Sequence, residues 1–311
     1  MKTISSYLAI ICSLIFTTLP LTLSAAPLTN ADTTIHAPDD DSEIIIKTTS
    51  RTAGAIESLQ WNGKEFLNST DHGRELQAAW NGNAGIEPIA DETFNPTEAG
   101  SLDDGAGTNS SSRLLEIQAH ENQLMTFSQP AFWLNPGETS GGKPARNKTV
   151  VSNDRLRKQI VIGCTNLPHA IDCQLTVTLA PEDHNTRCVI EALTGYMPPE
   201  FDHFQVFNPK TGQLAPIDDG PGEQPLPLVF STADGKYAMG VYSPSSETPR
   251  DATGPTYGRW NFKDFHVVKW NCVFRLQNPA GLSGDFHCHV FVAVGSLEDV
   301  RTTLIALQKT K

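Results

Sequence analysis

Between Asp285 and Val294 the chain alternates strictly. Phe286, Cys288, Val290, Val292 and Val294 fall on one face, and His287, His289 and Phe291 fall on the other. A period of two is the signature of a strand whose two faces meet different surroundings. Similar short runs recur along most of the chain: Glu43–Thr48, Gly54–Trp61, Glu75–Trp80, Leu114–Gln118, Gln159–Ile162, Cys173–Thr178, Thr186–Leu193, Tyr237–Tyr242 and His266–Leu276. Turn clusters separate them, among them Trp61-Asn62-Gly63-Lys64, Asn95-Pro96, Asn208-Pro209-Lys210-Thr211-Gly212 and Ala233-Asp234-Gly235-Lys236. Asn-Gly and Asp-Gly between β-prone flanks predict tight hairpins. One helix is predicted, at the C-terminus: Ser296 and Asp299 make a capping box, and Val300, Leu304 and Leu307 form an apolar stripe. Many short strands without alternating helices predict an all-β sandwich or barrel. Asp103–Ser112, rich in Gly and Ser, reads as a mobile loop.

The N-terminus follows a different pattern. Lys2 precedes an apolar run from Tyr7 to Leu23, and Leu23-Ser24-Ala25 ends it with small residues. This is the pattern of a secretory signal peptide over residues 1–25, cut after Ala25 because Pro27 disfavours a cut next to it. The alternative is an uncleaved anchor, for which the run is short. Residues 26–42 are polar and read as a flexible lead-in, leaving 43–311 as a single domain. The expected location is secreted or periplasmic, with no membrane span in the mature chain. Five cysteines follow the leader: Cys164, Cys173, Cys188, Cys272 and Cys288. An odd number in an oxidising compartment predicts one or two disulfides plus buried thiols, with Cys164–Cys173 the first candidate for a bridge. Sequons occur at Asn68, Asn109 and Asn147.

Of the 311 residues 39% are hydrophobic and 19% charged, which excludes a disordered chain. A formal net charge of −12 argues against nucleic acid as a partner, since that would need a basic footprint.

The run Gly54-Ala55-Ile56-Glu57-Ser58-Leu59-Gln60-Trp61-Asn62-Gly63-Lys64-Glu65 resembles the opening hairpin of the galactose mutarotase-like superfamily. Asp71-His72-Gly73-Arg74-Glu75-Leu76-Gln77 follows where such proteins return toward the sugar cleft. The resemblance implies an antiparallel β-supersandwich with a short C-terminal helix and a concave face that holds a saccharide. Aldose 1-epimerases and domains of polysaccharide lyases and glycoside hydrolases belong to that superfamily. The chain departs from the epimerases in lacking their Asn-His segment followed by aromatics and a clear equivalent of their C-terminal catalytic Glu.

Candidate chemistry is spread along the chain. His72 and Arg74, two apart on a strand, share a face, and an imidazole beside a fixed cation suits proton transfer. Tyr196, at the start of a Pro-rich loop, is its expected catalytic partner, able to stack on a sugar or exchange a proton. Arg74, Arg259 and Lys269 are expected to hold the ligand, with Glu98, His203 and Tyr242 as further substrate contacts; Lys269 and Asn271 share a face. His287 and His289 have an i, i+2 spacing that some metal sites use, but hydrogen-bonded sheet histidines are the plainer reading, and neither metal nor cofactor is expected. The sequence carries no phosphate loop and no nucleophile elbow. These residues together predict an exported carbohydrate-active protein working by acid/base catalysis, through polysaccharide β-elimination or sugar epimerisation. The alternatives are a non-catalytic glycan-binding protein of the cell envelope, or a structural envelope protein.

Overall fold

The computed structural model describes residues 30–39, 42–90 and 92–309, so the leader read at residues 1–25 lies outside the described residues. Four antiparallel strands come first: β1 (Thr33–Asp39), β2 (Ser42–Thr48), β3 (Ile56–Trp61) and β4 (Lys64–Glu65). Asn62 (φ 48°) and Gly63 (φ 71°) make the tight turn between β3 and β4, as Asn-Gly predicts. The segment read as a flexible lead-in is corrected here, because residues 33–39 pair in full register with β2. Only Ile35 and Ala37 mark its buried face, too few apolar positions to stand out against Thr, His and Pro.

The middle of the chain supplies β5 (Gln77–Gly82), β6 (Pro96–Thr97), β7 (Arg113–His120), β8 (Gln123–Gln129), β9 (Ala131–Phe132) and the small hairpin β10 (Thr139–Ser140) and β11 (Lys143–Pro144). Three long strands follow: β12 (Arg155–Ile162), β13 (Ala170–Leu179) and β14 (Arg187–Met197). Next come β15 (His203–Asn208), β16 (Gln213–Pro216), β17 (Gly222–Gln224), β18 (Leu228–Ser231) and β19 (Ala238–Tyr242). The chain closes with β20 (Ala252–Phe262), β21 (Val267–Gln277), β22 (Gly284–Gly295) and helix α1 (Leu297–Leu307).

Two large antiparallel sheets result. One has nine strands in the order β16-β15-β18-β19-β22-β13-β12-β8-β7, and the other has seven in the order β17-β20-β21-β14-β5-β6-β9. Alternate residues of each sheet face the other. Ile160, Leu175, Val177, Phe286 and Val290 from the first share one core with Trp80, Ile190, Leu193, Trp270 and Phe274 from the second. This is an all-β sandwich, as the alternation predicts. Helix α1 starts at the predicted capping box, where Asp299 N donates to Ser296 Oγ at 3.2 Å. Its stripe Val300, Leu304 and Leu307 packs on the outside of the nine-stranded sheet against Tyr242 and Phe291.

Local details correct three further expectations. The Asp103–Ser112 loop is pinned by the Asp104 carboxylate, whose Oδ2 accepts from Ser101 N (2.8 Å), Ser111 N (2.9 Å) and Ser111 Oγ (2.7 Å). Among the described residues no disulfide joins Cys164 to Cys173; all five cysteines are buried. Burial pushes the Cys173, Cys188 and Cys272 thiols well above their ordinary range and Cys288 up to about 12, so they behave as core residues. Asn147 is buried and donates its amide to the Leu134 and Thr149 carbonyls at 2.9 Å, which leaves that sequon closed in the folded chain. No helix among the described residues is long and apolar enough to cross a membrane.

One charged pair lies inside the core. Strand β12 alternates Leu156, Lys158, Ile160, Ile162 on its buried face. The Lys158 ammonium there meets Glu98 Oε1, while Glu98 Oε2 accepts from Ala78 N at 2.9 Å. Glu98, predicted to touch substrate, is thus a core residue that ties β5 and β12 together. Lys158→Met, which leaves the carboxylate buried alone, is expected to cost about 3–5 kcal/mol. Adding Glu98→Gln should restore much of that loss. Chemical denaturation of the single and double variants checks both.

Candidate functional site

Strand β14 contains an irregularity that shapes the outer face of the seven-stranded sheet. Its register slips between Glu191 and Leu193 against β21, and between Glu191 and Thr194 against β5. Glu191 and Tyr196 are five positions apart, so a regular strand would send them to opposite faces. The bulge absorbs one residue: Ala192 and Leu193 are both buried in the core. Val189, Glu191, Thr194 and Tyr196 therefore line one cavity. Gly195 keeps the bulged strand close to its neighbour, since a Cβ there would sit 2.5 Å from the Trp270 ring.

The neighbouring strands add to this face in register. Tyr196 stands opposite Lys269, and Lys269 opposite Trp260; in the next row Gln77, Thr194, Asn271 and Gly258 are aligned across four strands. The Lys269 Nζ lies 3.2 Å from Glu191 Oε2, 5.2 Å from the centre of the Tyr196 ring and 4.9 Å from that of Trp260. Thr194 Oγ1 donates to Glu191 Oε2 at 2.7 Å. The loops opposite contribute Glu92, Asn95, Gly73 and Trp133, and the cavity encloses about 290 Å³. Gly73 lets the indole lie against the backbone, because a Cβ would come within 2.8 Å of Trp133.

The surroundings push the ionisable groups apart. Burial works against the charge on Glu191, but Lys269, Thr194 and Asn271 outweigh it and hold the carboxyl below its ordinary value. Burial likewise opposes the charge on Lys269, yet Glu191 and Tyr196 hold it above the usual lysine range. Tyr196 is raised, mainly by burial. Glu92 moves opposite to Glu191: burial raises it, and the attraction of Lys269 offsets only part of that. The cleft therefore holds one carboxyl shifted down, one shifted up, and a phenol that keeps its proton.

Of the residues singled out in the sequence, Tyr196 and Lys269 meet in this cavity. Arg74 lies at its edge, next to Gly73, but pairs with Asp71 at 2.9 Å and stacks on Phe265. His72 is not placed to act on a ligand. It is 1% exposed, and its ring nitrogens lie 2.7 Å from the Gly105 carbonyl and 2.6 Å from that of Arg51. The segment carrying it is a turn rather than a strand, so the shared face with Arg74 does not arise. Arg259 is buried and holds the Asp218 carbonyl (2.7 Å), the Asp218 carboxylate (2.5 Å) and Gln224 (3.1 Å), which fastens the loop before β17. His203 is exposed beside Asp202 on β15, in the other sheet. Tyr242 is buried under α1 with Phe291. Glu191, Glu92 and Trp133 were missed. The adjacent apolar pair Ala192-Leu193, which interrupts the alternation of β14, is the one sequence mark of the bulge that brings Glu191 to the site.

No known family profile and no curated protein matches the chain. Among solved structures, the Slr1438 protein of Synechocystis sp. PCC 6803 is similar over 89% of this chain and 100% of its own, at 11% identity and a TM-score of 0.45. A Klebsiella pneumoniae protein assigned as an aldose 1-epimerase is similar over 90% of this chain and 92% of its own (11% identity, TM-score 0.42). The heparan sulfate lyase HepC of Pedobacter heparinus is similar over 89% of this chain, which spans 37% of that enzyme (10% identity, TM-score 0.42). The sandwich rests on the sheet registers described above, not on these likenesses.

Lys269→Met removes the charge that offsets burial at Glu191. The Glu191 carboxyl is then expected to titrate above, instead of below, the ordinary glutamate value, as read by carboxyl carbon NMR against pH.

Proposed function

We propose that the chain takes a saccharide in this cleft and moves protons on it through Glu92 and Glu191. The observation that carries the reading is that these two carboxyls line one cavity with Lys269, one shifted down and one shifted up. Trp133 and Tyr196 supply ring faces, and Asn95 and Thr194 supply hydroxyl partners, the mixture a sugar site needs. A cavity of about 290 Å³ suits one sugar unit or the end of a chain. An exported location belongs to the same proposal and rests on the leader-like residues 1–25.

Charge pairing chooses between the two expected reactions. β-Elimination of a uronate needs a cation for the substrate carboxylate. Around the cleft, Lys269 is paired with Glu191, Arg275 with Glu223, Arg74 with Asp71 and Arg259 with Asp218. Anomer interconversion of a neutral sugar has no such need. Glu191 removes the proton of the anomeric hydroxyl and Glu92 protonates the ring oxygen. The bond between C1 and that oxygen breaks, and the open aldehyde recloses on its other face with both protons returned.

One observation favours a second reading, a glycan-binding site without chemistry. Glu191, supplied by Lys269, Thr194 and Asn271, is a weak base but a good acceptor for sugar hydroxyls.

Exchange NMR of a panel of neutral aldoses measures anomer interconversion directly. Glu92→Gln and Glu191→Gln are each expected to lower the rate 10²–10⁴-fold. The rate should rise as Glu191 ionises, below the ordinary glutamate value, and fall as Glu92 loses its proton, above it, giving a bell. Sugar binding without exchange would favour the glycan-binding reading. Neither exchange nor binding with any sugar would overturn both.

A further inference from the structure

A second cavity, about 720 Å³, is a groove on the outer face of the nine-stranded sheet, walled on one side by residues 247–250. We propose that it binds a ligand through an oxyanion group, a carboxylate, sulfate or phosphate, taken by Arg157, with Thr176 and His287 next along the same row. This site is independent of the cleft.

Register builds it. Phe127, Arg157, Thr176 and His287 stand in one row across β8, β12, β13 and β22. Gln159, Gln174 and His289 form the next row. Arg157 and His287 thus flank Thr176 from backbones two strand spacings apart, roughly 9.6 Å. Phe127 steadies the guanidinium, whose centre lies 4.8 Å from the ring. Among the described residues the one partner of its nitrogens is Met125 Sδ at 3.5 Å, and no carboxylate lies within ion-pair reach. His287 Nδ1 lies 3.0 Å from Thr176 Oγ1, and its Nε2 has no partner among the described residues.

The carboxylates near the groove are engaged elsewhere. Asp172 sits 2.8 Å from His289 Nε2, and Glu247 sits 2.5 Å from His289 Nδ1. Burial opposes the charge on His289, but Asp172 and Glu247 outweigh it and raise the imidazole above its ordinary value, so its charge offsets that of one of them. Asp285 accepts from Thr178 Oγ1 at 2.7 Å. Arg250, on the far wall, is held by Asp251 at 3.0 Å and by the Ser283 carbonyl at 2.7 Å. Arg157 remains as a planar cation without a carboxylate among the described residues, in one row with a hydroxyl and an imidazole, and a guanidinium takes an oxyanion through two parallel hydrogen bonds. The cleft lacks this feature, since its cations all have carboxylates.

The test uses the full chain, with sodium sulfate, sodium phosphate and sodium glucuronate titrated against sodium chloride at matched ionic strength, and glucose as the uncharged control. The His287 ring signals in proton–nitrogen NMR are expected to move saturably with at least one of the three anions, but not with chloride or glucose. The anion bound most tightly identifies the source of the oxyanion. Arg157→Gln should weaken binding at least tenfold while Arg157→Lys weakens it less, and His287→Gln, read by calorimetry, should weaken it also. Unchanged proton–nitrogen spectra elsewhere show that the variants fold. No saturable shift with any anion, equal shifts with chloride, or undiminished binding by Arg157→Gln would overturn the proposal.

Discussion

The bulge in β14 is the constraint on which the cleft depends. A strand offers its side chains to two faces by parity alone, and Glu191 and Tyr196 have opposite parity. One absorbed residue brings them to one side, where both meet Lys269 from the adjacent strand. The cost is a locally broken ladder and two consecutive buried residues, Ala192 and Leu193. The return is a carboxylate, an ammonium and a phenol within one cavity, with Lys269 changing the proton affinity of both Glu191 and Tyr196. Bulges beside functional clefts commonly re-aim side chains in this way.

Charge neutralisation explains why so many expected ligands of a substrate turned out to be part of the scaffold. An Arg, Glu or His near the core must be satisfied before the chain can fold. Glu98 is answered by Lys158, Arg259 by Asp218 and Gln224, and His72 by two backbone carbonyls. Each of these joins segments distant in sequence. Such residues look functional when the chain is read linearly, because their residue types are those of active sites, but their partners consume the hydrogen bonds that a substrate would need. The cleft differs because Glu92 pairs with no cation of its own among the described residues and shares the attraction of Lys269 with Glu191.

The fold was legible to the extent that it followed period two. The alternation of β22, the Asn-Gly turn after β3 and the capping box of α1 all lie where the sequence places them. The strand β1 escaped because its buried face shows only Ile35 and Ala37. The site was legible only in part. Lys269 and Asn271 were read as sharing a face, and Tyr196 as a cleft residue; Glu191 lay in the run Thr186–Leu193, but on the wrong parity until the bulge is known. Glu92 and Trp133 come from loops, where no periodicity reports which side chains turn inward.

The most direct measurement is a map of where a sugar touches the protein. Backbone and methyl NMR of the labelled chain, titrated with a neutral monosaccharide that it binds, reads this residue by residue. The account predicts saturable shifts concentrated at Glu191, Thr194, Tyr196, Lys269 and Trp133, with little change at His72 or on the outer face of the nine-stranded sheet. Shifts centred on any other surface, with these residues silent, would contradict it.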